Sequence, residues 1–188
     1  MKTLLTPETR QLLLKSYSEP HRHYHTLEHL IALFQLSSSI GVRLSTPQIM
    51  AIWYHDSIYD PKSKTNEEDS CQLLIEHQML LKTISSNELG RAIGIIMDTK
   101  GHTSDNHESQ TVLDLDLTGL GSDWKTYSYT IELIRKEYEH LSDDNWIAGR
   151  KLFLQSILTR NYIFNTHWGR DIYEEKAQMN ISKELSAF

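Results

Sequence analysis

The chain is nearly devoid of cysteine. Cys71 is the single one in 188 residues, so no internal disulfide can form and a reducing compartment is expected. Its neighbours Asp69, Ser70 and Gln72 carry no nucleophile signature, and Cys71 reads as a small packing residue. Long apolar runs are missing too. None approaches the roughly 20 residues needed to cross a bilayer, and the opening Met1-Lys2-Thr3-Leu4-Leu5-Thr6-Pro7-Glu8 has too short an apolar stretch for a secretory signal. Positive charge is not in surplus: 19 Lys and Arg face 25 Asp and Glu, a formal charge of −6. That balance argues against a generic nucleic-acid or anionic-membrane surface. Alternating strand segments, internal repeats and low-complexity linkers are also absent. These absences predict one cytoplasmic domain spanning residues 1–188, with neither nucleic acid nor membrane as a partner. A hydrophobic share of 39% supplies an ordinary core at this length.

What is present is helix after helix. Thr6-Pro7 opens the first, through Leu12, Leu13 and Leu14, with Pro at a position where its missing N–H costs nothing. The second runs from near Thr26 to Gln35 and ends in Ser37-Ser38-Ser39 before Gly41. Thr65-x-x-Glu68 and Ser85-x-x-Glu88 have the spacing of capping boxes and open helices through Leu73-Leu74 and Ile93–Ile96. Further helices are predicted over Val112–Leu120, Trp124–His140, Trp146–Leu158 and Asp171–Leu185. The fold class is all-α. The polar stretches Asp60–Thr65 and Gly101–Glu108 are loops at the ends of helices, where substrate contacts concentrate.

One helix carries a charge where a core stripe should be apolar. With Thr46 as N-cap and Pro47 in the first turn, Ile49, Ile52, Trp53 and Asp56 fall at i, i+3, i+4 and i+7, a single face. A carboxylate on that face has to pair, neutralise or bind metal, and His55 beside it brings a second donor. The dipeptide alone is common; its surroundings are not. Upstream, His25 and His29 stand at i and i+4 in Tyr24-His25-Thr26-Leu27-Glu28-His29-Leu30. Downstream, Asp116 shares a face with Leu113, Leu117 and Leu120, while Asp114 lies about 100° or more off that stripe.

The order His25, His55-Asp56, Asp116 resembles the HD superfamily of metal-dependent phosphohydrolases. The matching stretches are HRHYHTLEHL, AIWYHDSIYDPKSKTNEEDS, MDTKGH, LDLDLTGLG, IELIRKEY and IFNTHWGRDIYEEKAQMN, within a resemblance that covers about residue 17 to residue 184. The resemblance implies a single HD-type helical bundle and a divalent ion (Mn, Mg, Co, Ni, Zn or Fe) held by His25, His55, Asp56 and Asp116. It implies a substrate that is a phosphate ester, with a nucleotide or related small molecule as the class.

The remaining roles are spread over several residues. His29 is expected as a substrate contact near the metal, with a core histidine as the alternative. Asp60, Glu67 and His102 are the candidates for handling the proton. In HD-type hydrolases of guanosine polyphosphates the His-Asp pair is followed after two residues by Glu-Asp; here that place is Tyr59-Asp60, which counts against that substrate. Arg22, Lys100 and Arg135 are candidates for binding phosphate, the guanidinium fork of the two arginines being suited to its oxygens. His102 is balanced between a helix-end histidine, favoured there by the dipole, and a group that serves the reaction. Two rival readings stand beside the hydrolase: a non-catalytic regulatory module that keeps its metal structurally, and a di-iron oxygenase of the same fold.

Overall fold

The computed structural model describes residues 4–81 and 84–188, so Met1, Lys2 and Thr3 of the opening stretch fall outside it. Among the described residues there is helix and loop and no strand. Among the described residues no helix is long and apolar enough to cross a membrane. The chain divides into two compact units, Met1–Leu113 and Asp114–Phe188.

The first unit holds α1 (Pro7–Ser16), α2 (Leu27–Ser39), α3 (Thr46–Tyr54), α4 (Asn66–His77), α5 (Ser86–Thr99) and most of α6 (His107–Leu117). α3 is the central element and packs on α5, α4 and α2. Met50, Ala51, Ile52 and Tyr54 are buried on α3, facing a core that includes Leu30, Leu33, Leu74, Ile95 and Ile96. Its start lies one residue earlier than the Thr46 expectation. Ser45 is the N-cap, and a complete capping box forms with Gln48, whose amide also donates to the Glu108 carbonyl at 3.0 Å. Its end is earlier as well. α3 stops at Tyr54 with His55 as C-cap, so Asp56 is not the fourth position of a helical stripe but stands in the turn beyond. The turn closes because Ser57 returns both its N–H (2.9 Å) and its hydroxyl (2.8 Å) to the Tyr54 carbonyl.

The two expected capping boxes part company. Ser85 and Glu88 form theirs. Thr65 makes no side-chain cap; its hydroxyl goes to Asp69 at 2.9 Å, and Glu68 is drawn away by Lys100 at 2.5 Å.

A buried polar pair anchors α4. His77 Nδ1 lies 2.9 Å from the Tyr54 hydroxyl. Burial holds the His77 imidazole below its ordinary value, with Glu76 and Glu8 pulling partly the other way, and burial pushes the Tyr54 phenol far above its own. Both shifts favour the uncharged forms, so the contact joins an intact phenol to an imidazole whose neutral form is favoured. Because the folded pKa is the lower one, the unfolded chain binds more protons below about pH 6.5. Stability from this pair is present above that pH and lost as pH falls through the lowered folded value. In melts from pH 7.5 to 5, the gap in Tm between the wild type and His77→Asn should narrow with acid; a pH-independent gap would exclude this origin.

The second unit holds the end of α6, a 3₁₀ turn (Thr118–Gly121), α7 (Trp124–Glu137), α8 (Asp143–Leu158), α9 (His167–Gly169), a π-helical turn (Arg170–Glu174) and α10 (Glu175–Ser186). The last three join without a break, so the helix begins at His167 rather than at the expected Asp171. Leu120, Tyr127, Leu154, Ile157, Phe164 and Ile181 form its core. Inside that core, Arg150 donates to both carboxylate oxygens of Glu184, at 2.8 and 3.2 Å, and the Tyr127 hydroxyl donates to the same carboxylate. Burial is the largest single influence and opposes the guanidinium charge, but the bond to Glu184, its charge and the contribution of Tyr127 together outweigh it and raise the Arg150 pKa.

Asp114 corrects the view of α6. It is not turned away: Val112, Leu113, Asp114 and Leu115 are all fully buried. Its carboxylate accepts four hydrogen bonds, from the N–H and side-chain amide of Asn165 (2.8 and 3.0 Å) and the N–H and hydroxyl of Thr166 (2.6 and 2.7 Å). Gly169 lies in the same clamp. A Cβ there would stand 2.7 Å from Asp114 Oδ2 and 2.8 Å from Phe164 Cβ, so only glycine fits.

Candidate metal centre

The segment from Pro20 to Thr26 is a run of turns that places Tyr24 and His25 just ahead of α2, whose N-cap is Thr26. From there a line of imidazoles leads to the end of α3. The His25 and His29 ring centroids are 6.2 Å apart, and those of His29 and His55 are 5.7 Å apart. Tyr24 stands against both ends of the first pair, 4.9 Å from His25 and 5.0 Å from His29. Tyr59 covers His25 at 4.3 Å. His29 and His55 are buried, at 8% and 2% exposure. Tyr24 and Tyr59 were not expected at the site; Tyr24 adjoins His25 in sequence, whereas Tyr59 reaches it only through the fold.

The protonation of His55 follows from its neighbours. Nδ1 lies 3.0 Å from the Ile52 carbonyl, which can only accept, so Nδ1 carries the hydrogen. In the neutral ring the lone pair is then at Nε2, the form that ligates metal. Nε2 sits 3.1 Å from Asp56 Oδ2. A lone pair and a carboxylate oxygen repel at that distance. A proton on Nε2, or a cation shared by the two, turns the contact attractive. The end of α3 is therefore built for positive charge.

α6 is one unbroken helix, with Asp116 on its final turn. The ligand atoms of His29, His55 and Asp116 lie within 4.8 Å of one another, a group that could hold a metal ion. Two imidazoles and a carboxylate suit a borderline divalent ion such as Zn, Co, Fe or Mn. The group takes in His55 and Asp116 from the expected ligands, and His29, which was expected to face substrate. Asp56 adjoins it through His55. His25 lies outside the group of three, with its ring against Tyr59 and Tyr24.

The other candidates are engaged locally. Arg22 is buried, and its guanidinium donates to the carbonyls of His25, Asp56 and Ser57. Lys100 is bound by the Lys64 carbonyl at 2.6 Å and by Glu68, and stands 3.7 Å from Glu67. The Lys100 bond holds the Glu68 carboxyl below its ordinary value. Arg135 closes the end of α7, donating to the Tyr138 and Leu141 carbonyls at 2.7 and 3.0 Å and to Asp143 at 2.8 Å. Asp60 is an exposed turn residue whose Oδ1 accepts the Lys62 N–H at 2.9 Å.

His102 is not on α5 at all. It lies three residues past Thr99, in a left-handed backbone conformation with φ of 47°, and its N–H returns to the Thr99 carbonyl at 3.3 Å. Such a conformation is uncommon outside glycine, though histidine tolerates it better than most. Cys71 is chemically quiet, its thiol pushed up to about 11 chiefly by burial and further by Glu68 and Glu67.

No family model, no curated protein and no solved structure matches this chain.

Proposed function

We propose that the chain is a metal-dependent phosphohydrolase of the HD type, acting on a phosphate ester of the nucleotide class. The observation that carries the proposal is the end of α3. His55 is fixed in its ligating tautomer by Ile52 and faces the Asp56 carboxylate at 3.1 Å, within reach of a donor group that adds His29 and Asp116. The residues fit the ion. A bound divalent ion supplies water acidified towards neutrality and shields charge on the phosphoryl oxygens. The protein's own part is to orient these donors, His55 through its Nδ1 bond and His29 through the first turn of α2. Glu67 and His102 are the candidates for moving the proton, and the ring surfaces of Tyr24 and Tyr59 flank the imidazoles. The nucleotide class rests on the resemblance alone.

The test is metal content of the unsupplemented protein, followed by turnover on a panel of nucleotides and simple phosphate esters with Mn²⁺, Mg²⁺ or Co²⁺. Bound metal together with phosphate release that EDTA abolishes supports the reading. Bound metal with no turnover on any ester overturns the hydrolase in favour of a regulatory module. Two irons per chain with O₂ consumption overturns it in favour of an oxygenase.

A further inference from the structure

We propose that Arg22 is the positioning residue of the metal centre, tying the start of α2 to the end of α3 so that their donors keep a fixed spacing. The proposal rests on the metal-site reading above. It assigns Arg22 a place behind the ligands instead of against substrate phosphate.

Arg22 stands in the turn segment between α1 and α2, its side chain 0% exposed. Nε donates to Glu19 Oε2 at 2.9 Å. One terminal nitrogen donates to the His25 carbonyl at 3.2 Å and the Asp56 carbonyl at 2.6 Å, and the other to the Ser57 carbonyl at 3.2 Å. The rings of Tyr17 and Tyr59 flank the guanidinium at 5.2 and 5.4 Å. Of five N–H donors in the fork, four are spent on these oxygens.

The need for this clamp comes from where α3 stops. The Asp56 and Ser57 carbonyls lie past the last helical turn, and Ser57 is buried, so they require donors from elsewhere. Arg22 supplies them and binds the His25 carbonyl in the same plane. His25 immediately precedes the N-cap of α2, the helix that carries His29. Asp56 carries the carboxylate that faces His55 Nε2. One planar cation thus fixes the two backbone segments that lead to His29 and to the His55-Asp56 pair. A lysine cannot replace it, because a single ammonium is a point charge without the fork.

Co²⁺ is the probe, titrated into the full chain and followed by its visible absorption. Wild type lacking Co²⁺ bands would defeat the metal reading itself, and the present proposal with it. With bands in the wild type, Arg22→Lys should lower Co²⁺ affinity about 10–100-fold, as for other supports of metal ligands, and shift the bands. Circular dichroism should remain that of a folded chain. Glu19→Gln, at an exposed position, should give a weaker loss in the same direction, and it decides the matter if Arg22→Lys does not fold. Unchanged Co²⁺ affinity and spectrum in a folded Arg22→Lys, or in Glu19→Gln should that variant be the only one to fold, would overturn the proposal. So would weakened inorganic phosphate binding with Co²⁺ binding intact, the signature of a substrate contact.

Discussion

His55→Ala is expected to abolish divalent metal binding and every metal-dependent activity with it. Outer partners of a ligating histidine cost about 10–100-fold in affinity when changed, so loss of the imidazole itself should exceed that range. The readout needs no substrate. At metal 100-fold above Kd, binding stabilises a folded chain by about 2.7 kcal/mol. For a protein of this size each kcal/mol is worth about 2–4 °C in Tm. EDTA should therefore lower the wild-type Tm by about 5–10 °C and leave His55→Ala unmoved. Asp56→Asn sharpens the test through its sign. In EDTA it should melt at or above the wild type, because the carboxylate no longer faces the His55 lone pair at 3.1 Å; with metal present it should melt below. An EDTA shift of equal size in all three proteins would exclude His55 and Asp56 from the centre.

Asp114→Ala should be the most destabilising substitution in the second unit, by about 3–5 kcal/mol, the usual loss when one partner of a buried charged network is removed. Four donors from Asn165 and Thr166 converge on this fully buried carboxylate, and bonds to a charged group are worth about 1.5–3 kcal/mol each. Alanine leaves two backbone N–H groups without their acceptor. Tm should fall by about 6–20 °C, while the protein that remains folded binds metal as before. Asp116→Asn should do the reverse, losing metal with little change in the metal-free Tm. Chemical denaturation of the two variants in EDTA, beside metal titration, separates the roles. A stable Asp114→Ala would mean that the clamp carries no energy.

Local pattern was legible where local partners decide the structure. The all-helical class, the Ser85–Glu88 box and the pairing of apolar faces all follow from residues three or four apart. The His55-Asp56 pair was legible as an anomaly in an apolar stripe, although the stripe itself ends before Asp56. What the sequence concealed lies at long range. Glu68 leaves its own N-terminus for Lys100, 32 positions on, so the Thr65–Glu68 box never closes. Asp114 looks solvent-facing on a helical wheel, because the donors that make its burial tolerable sit in Asn165 and Thr166. Arg22, expected at phosphate, spends its guanidinium on the carbonyls of His25, Asp56 and Ser57. In each case a polar group was assigned to the nearest use that its neighbours suggested, and a partner brought in by the fold took it instead.

The Asp114 clamp also sets a timetable. Its bonds join positions 51 and 52 residues apart, and closing a loop of that length costs roughly 3.5 kcal/mol of chain entropy beyond a constant term. During synthesis the helices up to Leu113 are complete while Asp114 has nothing to hold. Its acceptors stay in water until Asn165 and Thr166 have left the ribosome. At about 5–20 residues per second, that interval lasts several seconds. Apolar residues of the second unit are exposed throughout it, so this is when a nascent chain most needs shielding from its neighbours.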